Sequence, residues 1–172
     1  TLSFNDQNIN SHVVVNDYFF QLEDKINFEF DFLSRGSEEN YFHYIIDMEG
    51  SSISERFTLV MDTHLSSFEI GINNDPLSST YIDLEGVQVD NWYKFNLEID
   101  TSINSYTLYI NNEIVGSGNI PSNSFNFSTY PKLTIGNRYA LEQNNVNKLL
   151  DNLKIYTTMN NSVSTLSNYI FN

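Results

Sequence analysis

Residues 149–156, LLDNLKIY, place a carboxylate in a segment that reads as a β-strand. Side chains alternate between the two faces of a strand. Four side chains are therefore predicted to share one face: Leu149, Asp151, Leu153 and Ile155. A carboxylate in phase with core residues is costly unless it is hydrogen-bonded, paired or bound to metal. Asp151 is thus a candidate metal ligand, and the alternative is a residue that caps backbone amides or pairs with Lys148 or Arg138.

A second set of residues suits the chemistry of sugar binding. Sugars present apolar C–H faces and many hydroxyl groups, so their sites combine aromatic rings with polar side chains. In residues 41–48, YFHYIIDM, alternation predicts that Tyr41, His43 and Asp47 point outward. Tyr109 lies on the outward phase of its own strand. These four residues are predicted to bind ligand, although exposed tyrosines suit any β-sheet surface.

The elements that must position these residues are β-strands. Residues 26–33, INFEFDFL, alternate strictly between apolar and polar side chains. The same pattern predicts strands at 41–48, 56–62, 67–73, 92–100, 106–118 (two strands around a turn at Asn111–Asn112), 132–137 and 149–156. Turn residues separate these segments. Many short alternating strands predict an antiparallel sandwich with two sheets of about six strands each.

Length, composition and charge narrow the classes of partner. A chain of 172 residues with 40% hydrophobic and 15% aromatic residues can bury a core. It contains no cysteine, which excludes disulfides and cysteine chemistry. A formal charge of −14 makes nucleic acids and anionic membranes poor partners. The same charge attracts cations such as Ca²⁺, although solubility is the simpler reason for it.

Neither a membrane span nor a signal peptide is visible in the sequence. No apolar run approaches the roughly 20 residues that a spanning helix needs. The sequence opens at Thr1 on TLSFND, without the basic and apolar regions of a signal peptide. We therefore expect an excised domain or a mature product that does not insert into a membrane.

Residues 87–118, VQVDNWYKFNLEIDTSINSYTLYINNEIVGSG, resemble the laminin G-like, concanavalin A-like jelly-roll domains. In that family a Trp opens an alternating strand, and an acidic turn, a Tyr-x-Leu-Tyr-Ile-Asn segment and a hairpin follow. LTIGN and LLDNLKIY resemble the last two strands, and LSFN and INFEFDF resemble the first two. The resemblance covers roughly 2–157. It implies an all-β fold, an antiparallel two-sheet jelly-roll β-sandwich.

The resemblance also implies roles for individual residues. In many related jelly rolls an Asp at the position of Asp151 binds a structural Ca²⁺ with oxygens from the N-terminal strand. Here Asn5, Asp6 or nearby backbone carbonyls would supply them, since Ca²⁺ takes six to eight oxygen ligands. The family Trp usually packs where its strand begins, which favours a structural role for Trp92.

Loops at the rim of the sandwich form a further candidate site. Many binding members of this superfamily hold their ligands there. Arg138, Tyr139 and Asn144 offer a cation, an aromatic ring and an amide within one predicted loop. They are therefore predicted ligand-binding residues, and an ordinary solvated loop is the alternative.

Catalysis finds little support in the residues. Retaining glycoside hydrolases of this fold carry Glu-x-Asp-x-x-Glu, which places a nucleophile and an acid/base on one strand. Residues 29–34, EFDFLS, end on Ser34, so the acid/base is missing. Tyr41 and His43 share a predicted face and could form the proton-transfer pair of a lyase. No catalytic residue is therefore assigned.

The resemblance, the missing acid/base and the outward aromatic residues favour a non-catalytic, lectin-like module of a larger secreted or cell-surface protein. It would bind an oligosaccharide or cell-surface glycan, contact other domains of its parent protein and hold one structural Ca²⁺. The alternatives are an adhesion or spacer domain that binds a protein partner, and a polysaccharide lyase or glycoside hydrolase. Residues 1–157 are predicted to form the jelly-roll domain, and 158–172 a closing strand or a linker to a further domain.

Overall fold

The computed structural model describes residues 2–4, 13–16, 25–35, 42–50, 55–62, 65–72, 79–120, 132–136, 148–159 and 162–169. Within these ranges all regular elements are β-strands. They are β1 (Leu2–Phe4), β2 (Val13–Asn16), β3 (Lys25–Ser34), β4 (Phe42–Glu49), β5 (Arg56–Asp62), β6 (Ser67–Ile72), β7 (Thr80–Asp83), β8 (Tyr93–Asp100), β9 (Ser105–Ile110), β10 (Glu113–Asn119), β11 (Lys132–Ile135), β12 (Lys148–Met159) and β13 (Ser162–Tyr169). A helix long and apolar enough to cross a membrane does not occur in the described part of the chain.

The strands form two antiparallel sheets. A seven-stranded sheet has the order β1-β12-β3-β8-β9-β10, with β13 paired to the second half of β12. A six-stranded sheet has the order β2-β11-β4-β5-β6-β7. The all-β, two-sheet jelly-roll β-sandwich predicted from the sequence is therefore confirmed. The closing segment includes the strand β13, while the domain boundary near residue 157 stays a prediction.

The core lies between the inward faces of the two sheets, and alternation explains its composition. Phe28, Phe30 and Phe32 of β3 are buried, as are Phe95, Leu97 and Ile99 of β8. The rings of Phe30 and Phe95 stack with centroids 5.2 Å apart. Phe28 stacks across the sandwich on Phe57 of β5 at 5.5 Å. Burial of these side chains, each about 1.5–3 kcal/mol in transfer free energy, joins the sheets.

β-Bulges in β12 and β4 alter the predicted faces. In β12 the register shifts between Asp151 and Lys154, and Asn152 adopts a positive φ of 51°. The extra residue reverses the side-chain phase, so Leu150 is buried with Leu153 and Ile155 while Asp151 is only partly buried, on the outer face. The predicted core-facing position of Asp151 is therefore wrong.

The bulge in β4 has the same effect on His43. The register shifts between Tyr44 and Ile46, so His43 pairs with the inward-facing Met61. Its ring is fully buried against Phe32, with centroids 5.4 Å apart. Asp47 keeps its outward phase but is buried as well. The prediction that His43 and Asp47 line an exposed face is wrong.

Candidate functional site

The outer face of the seven-stranded sheet carries a group of polar side chains, most of which are accessible to solvent. We call the outward side chains of β12, β3, β8 and β9, with the residues at their ends, the polar face. Ladder pairing arranges them in three rows: Asp151, Asp31 and Lys94; Lys154, Glu29, Asn96 and Tyr109; and Tyr156, Asn27, Glu98 and Thr107. Members of all three rows line two depressions in the surface.

The first depression has a volume of about 370 Å³ and contains the chain's single tryptophan. The described residues that line it are Asp31, Trp92, Tyr93, Lys94, Asn111 and Asp151. Trp92 precedes β8 and is 45% exposed, which differs from the packing role that the sequence favoured. An aromatic ring therefore lies beside two carboxylates, an ammonium group and an amide.

A hairpin turn fixes one wall of the first depression. Asn111 and Asn112 connect β9 to β10, and both have positive φ values, 52° and 70°. Asparagine tolerates this conformation better than most residues, so the predicted turn at these positions is confirmed. The Asn111 backbone N–H donates to the Lys94 carbonyl at 2.8 Å, and the Lys94 N–H donates to Asn111 Oδ1 at 3.0 Å. These two hydrogen bonds hold the turn against the start of β8.

The bulge in β12 fixes the opposite wall. Asn152 Nδ2 donates to Asp31 Oδ2 at 2.6 Å, and the Asn152 backbone N–H donates to Asp151 Oδ1 at 2.9 Å. Asp31 and Asp151 face each other in the ladder, where like charges destabilise a sheet unless donors compensate them. Asn152 therefore contacts both carboxylates of the depression and orients them.

The second depression lies beside the first and has a volume of about 260 Å³. The described residues that line it are Glu29, Lys94, Asn96, Glu98, Tyr109 and Asn112. Lys94 lines both depressions. Asn96 Oδ1 is buried and accepts no hydrogen bond within the described structure. This depression thus offers a tyrosine ring, two carboxylates and an acceptor that is still unsatisfied.

Glu29, which lines the second depression, is held by a hydrogen bond and an ion pair. The Tyr156 hydroxyl donates to Glu29 Oε1 at 2.7 Å. Partial burial, this hydrogen bond and the charges of Glu29 and Glu98 raise the pKa of Tyr156. Lys154 Nζ lies 3.8 Å from Glu29 Oε2. Tyr156 therefore remains a hydrogen-bond donor at any physiological pH and holds Glu29 in place.

The structure brings few of the predicted site residues together. Tyr109 lines the second depression and Asp151 the first. Residues Tyr41, Arg138, Tyr139 and Asn144, and the predicted metal ligands Asn5 and Asp6, lie outside the described residues. His43 and Asp47 are buried, as described above.

Apart from Asp151 and Tyr109, sequence reasoning did not assign the residues that line the depressions. Asp31 and Lys94 occupy outward phases that the alternating pattern identifies correctly, but nothing in the pattern distinguishes a site from an ordinary wet surface. Their neighbourhood depends on the ladder β12-β3-β8, which joins residues far apart in sequence. An exposed Trp before an alternating strand was the available signal.

A calcium site at Asp151 receives limited support from the described residues. No group of three His, Asp or Glu side chains in that part of the chain could hold a metal ion. Asp151 and Asp31 supply carboxylate oxygens on one face, but Ca²⁺ takes six to eight ligands. The expected site therefore depends on Asn5 and Asp6 and stays a prediction.

Comparisons with known proteins identify the fold. No family model matches the chain, and no curated protein matches its sequence. Among solved structures, the mouse laminin α1 chain domains LG4-5 are 10% identical with a TM-score of 0.64, covering 89% of this chain and 41% of that one. The botulinum neurotoxin serotype D binding domain is 14% identical with a TM-score of 0.61, covering 89% and 38%.

A third structure carries a sugar ligand. The CBM40 of the Ruminococcus gnavus IT-sialidase, bound to α2,3-sialyllactose, is 11% identical with a TM-score of 0.57, covering 77% of this chain and 75% of that one. By contrast, the chain matches only 41% of the laminin structure and 38% of the toxin structure. At these identities the likeness concerns the fold, and the chain has the laminin G-like, concanavalin A-like jelly-roll fold that the sequence resemblance implied.

Proposed function

We propose that this chain is a non-catalytic carbohydrate-binding module that binds glycan on the polar face of its seven-stranded sheet. One observation carries the proposal: the exposed ring of Trp92 lines a depression together with Asp31, Lys94 and Asn111. Stacking of a sugar's C–H face on the ring, with hydroxyls hydrogen-bonded to the polar groups, is the interaction that this set supports.

The neighbouring depression extends the same chemistry. Tyr109 supplies a second aromatic ring, and Asn96 and Asn112 supply amides. Because Lys94 lines both depressions, they form adjacent parts of one surface suited to an oligosaccharide. The rings of Trp92 and Tyr109 lie in adjoining depressions, which favours a glycan site over the adhesion or spacer domain considered as an alternative.

The setting of the module is part of the proposal. The CBM40 structure contains α2,3-sialyllactose and the laminin structure comprises domains of a longer chain. By analogy of fold, we place this module in a larger secreted or cell-surface protein, with glycan as its partner and with further domains beside it. A structural Ca²⁺ at Asp151 belongs to the same proposal.

Glycan-array screening followed by calorimetric titration tests the function. The variant Trp92→Ala removes the exposed ring, and binding should weaken by about tenfold or more because stacking is lost. Tyr81→Ala is the matched control, since Tyr81 is 59% exposed on β7 of the other sheet. Equal affinities of both variants and wild type would exclude the polar face, and an array without any bound glycan would exclude the function.

A further inference from the structure

We infer that the polar face selects uncharged glycans and discriminates against sugars that carry carboxylate or sulfate groups. This inference rests on the proposed function and names the class of ligand for that site. It follows from three features of the two depressions: their charge, their hydrogen-bonding groups and the existing partners of the nearby lysines.

Charge is the first feature. The described linings contain four carboxylates, Asp31, Asp151, Glu29 and Glu98, and one ammonium group, that of Lys94. Each depression therefore carries an excess of negative charge, within a chain of formal charge −14. An anionic group placed about 4 Å from an uncompensated carboxylate is repelled by about 1 kcal/mol in water, which corresponds to roughly a fivefold loss of affinity.

Hydrogen-bonding capacity is the second feature. Carboxylates accept hydrogen bonds and cannot donate them when ionised, and Asn96 Oδ1 is a further buried acceptor that lacks a donor in the described structure. A surface rich in acceptors needs a ligand rich in donors. Sugar hydroxyls donate, whereas carboxylate and sulfate oxygens only accept, so an anionic group that takes the place of a hydroxyl cannot donate to the acceptor atoms that the protein leaves open.

The positions of the lysines form the third feature. Lys154 already lies 3.8 Å from Glu29 Oε2, so its charge is largely compensated. Lys94 lines the first depression together with both Asp31 and Asp151. A single ammonium group, that of Lys94, lies beside two carboxylates in the first depression, so the net charge there stays negative, and the described linings lack the arginine fork that typically binds carboxylates.

The test compares matched pairs of ligands by calorimetry on the whole chain. A preliminary screen of neutral gluco-, manno- and xylo-oligosaccharides comes first. The matched pairs are lactose with α2,3-sialyllactose, and a galacto-oligosaccharide with an oligogalacturonate of equal length. We expect the neutral member to bind about tenfold more tightly at low salt. The ratio should narrow when salt is raised towards 1 M, where the Debye length falls to about 3 Å.

Two variants separate the local charge from the charge of the whole chain. Glu98→Gln removes one carboxylate from the second depression. We expect the dissociation constant of the anionic ligand, divided by that of its neutral partner, to fall by about twofold to fivefold. Asp83→Asn removes the same charge from an exposed position on β7 of the other sheet and should leave the ratio unchanged.

The outcomes distinguish this inference from the function on which it rests. Equal or tighter binding of the anionic member would overturn the selectivity while leaving glycan binding intact. An equal response to Glu98→Gln and Asp83→Asn would show that the polar face does not set the selectivity. Failure of every glycan, neutral or anionic, to bind would overturn both proposals.

Discussion

The two sheets carry polar residues on their outer faces, but the central polar residues are accessible on one face and buried on the other. On the seven-stranded sheet, Lys94 and Trp92 are exposed and border the depressions. On the six-stranded sheet, Arg56 and Asp47 are buried and paired, with Arg56 Nε 2.6 Å from Asp47 Oδ1 and Nη2 3.0 Å from Oδ2. Thr58 and Thr134, in register with Asp47, are buried too.

This difference separates polar groups that stabilise from polar groups that remain available. A buried bidentate ion pair has satisfied its own hydrogen bonds and offers little to a ligand. The polar face keeps an exposed aromatic ring, that of Trp92, and an exposed ammonium group, that of Lys94. Outward phase alone therefore does not identify a binding residue, because an outward side chain can still be buried.

The largest expected effect comes from breaking the buried pair. Arg56→Ala leaves Asp47 as a buried carboxylate without its bidentate partner, so we expect a loss of about 3–5 kcal/mol in the free energy of unfolding. Chemical denaturation measures it. The matched control is Lys154→Ala, whose pair with Glu29 is 3.8 Å long and partly exposed, and which should cost about 0–1 kcal/mol. Similar losses in both variants would contradict the contrast between the two faces.

The dependence of the free energy of unfolding on pH tests whether His43 is buried. Burial, and secondarily the charge of Lys148, lower the pKa of His43 from 6.5 to about 3. His43 is therefore protonated near pH 6.5 in the unfolded chain but only near pH 3 in the folded chain. Stability should fall as the pH falls through this window, by up to about 1.4 kcal/mol per unit.

His43→Gln provides the comparison for this titration. It removes the titrating group, and the slope of the unfolding free energy between about pH 6 and 4.5 should flatten relative to wild type. An identical slope in the variant would mean that His43 titrates normally and is accessible to water, contrary to its buried contact with Phe32.

A buried lysine predicts a separate effect at higher pH. Burial lowers the pKa of Lys148 from 10.5 to about 7. Between these values the unfolded chain binds the proton more strongly, so stability should rise as the pH is raised from about 7 to 9.5. Lys148→Met should abolish this rise in thermal melts. A melting temperature that rises equally in wild type and variant would count against the buried position.

The smallest expected effect concerns the binding of calcium at Asp151 on the polar face. If Asp151 contributes to a Ca²⁺ site with Asn5 and Asp6, Ca²⁺ should raise the melting temperature above its value in EDTA, because a ligand that binds only the folded state stabilises it. Asp151→Ala should remove the rise, and Asp83→Asn should keep it. No rise in wild type would remove calcium from the proposal.

The sequence predicts the fold well because alternation records which side chains are buried. In β8 the inward Phe95, Leu97 and Ile99 and the outward Lys94 and Asn96 follow the pattern without exception. Such regularity, repeated over many strands, identifies the sandwich without any information on pairing.

The candidate site was harder to predict, for two physical reasons. One extra residue in a strand reverses the inward and outward phase of the side chains that precede it. The bulges at Ile45 and Asn152 have no recognisable signal in the sequence. In addition, a site such as Asp151, Asp31 and Lys94 depends on cross-strand register, which joins positions far apart in the chain. Tyr109 was found because its strand contains no bulge before the turn.

Tryptophan fluorescence measures glycan binding at the polar face most directly, because Trp92 is the only tryptophan in the chain. The wild-type protein would be titrated with the glycan that binds most tightly in calorimetry. We expect the emission to shift along a saturable curve with the calorimetric dissociation constant. An emission spectrum that stays constant while calorimetry reports full binding would place the ligand elsewhere and contradict the assignment of the polar face.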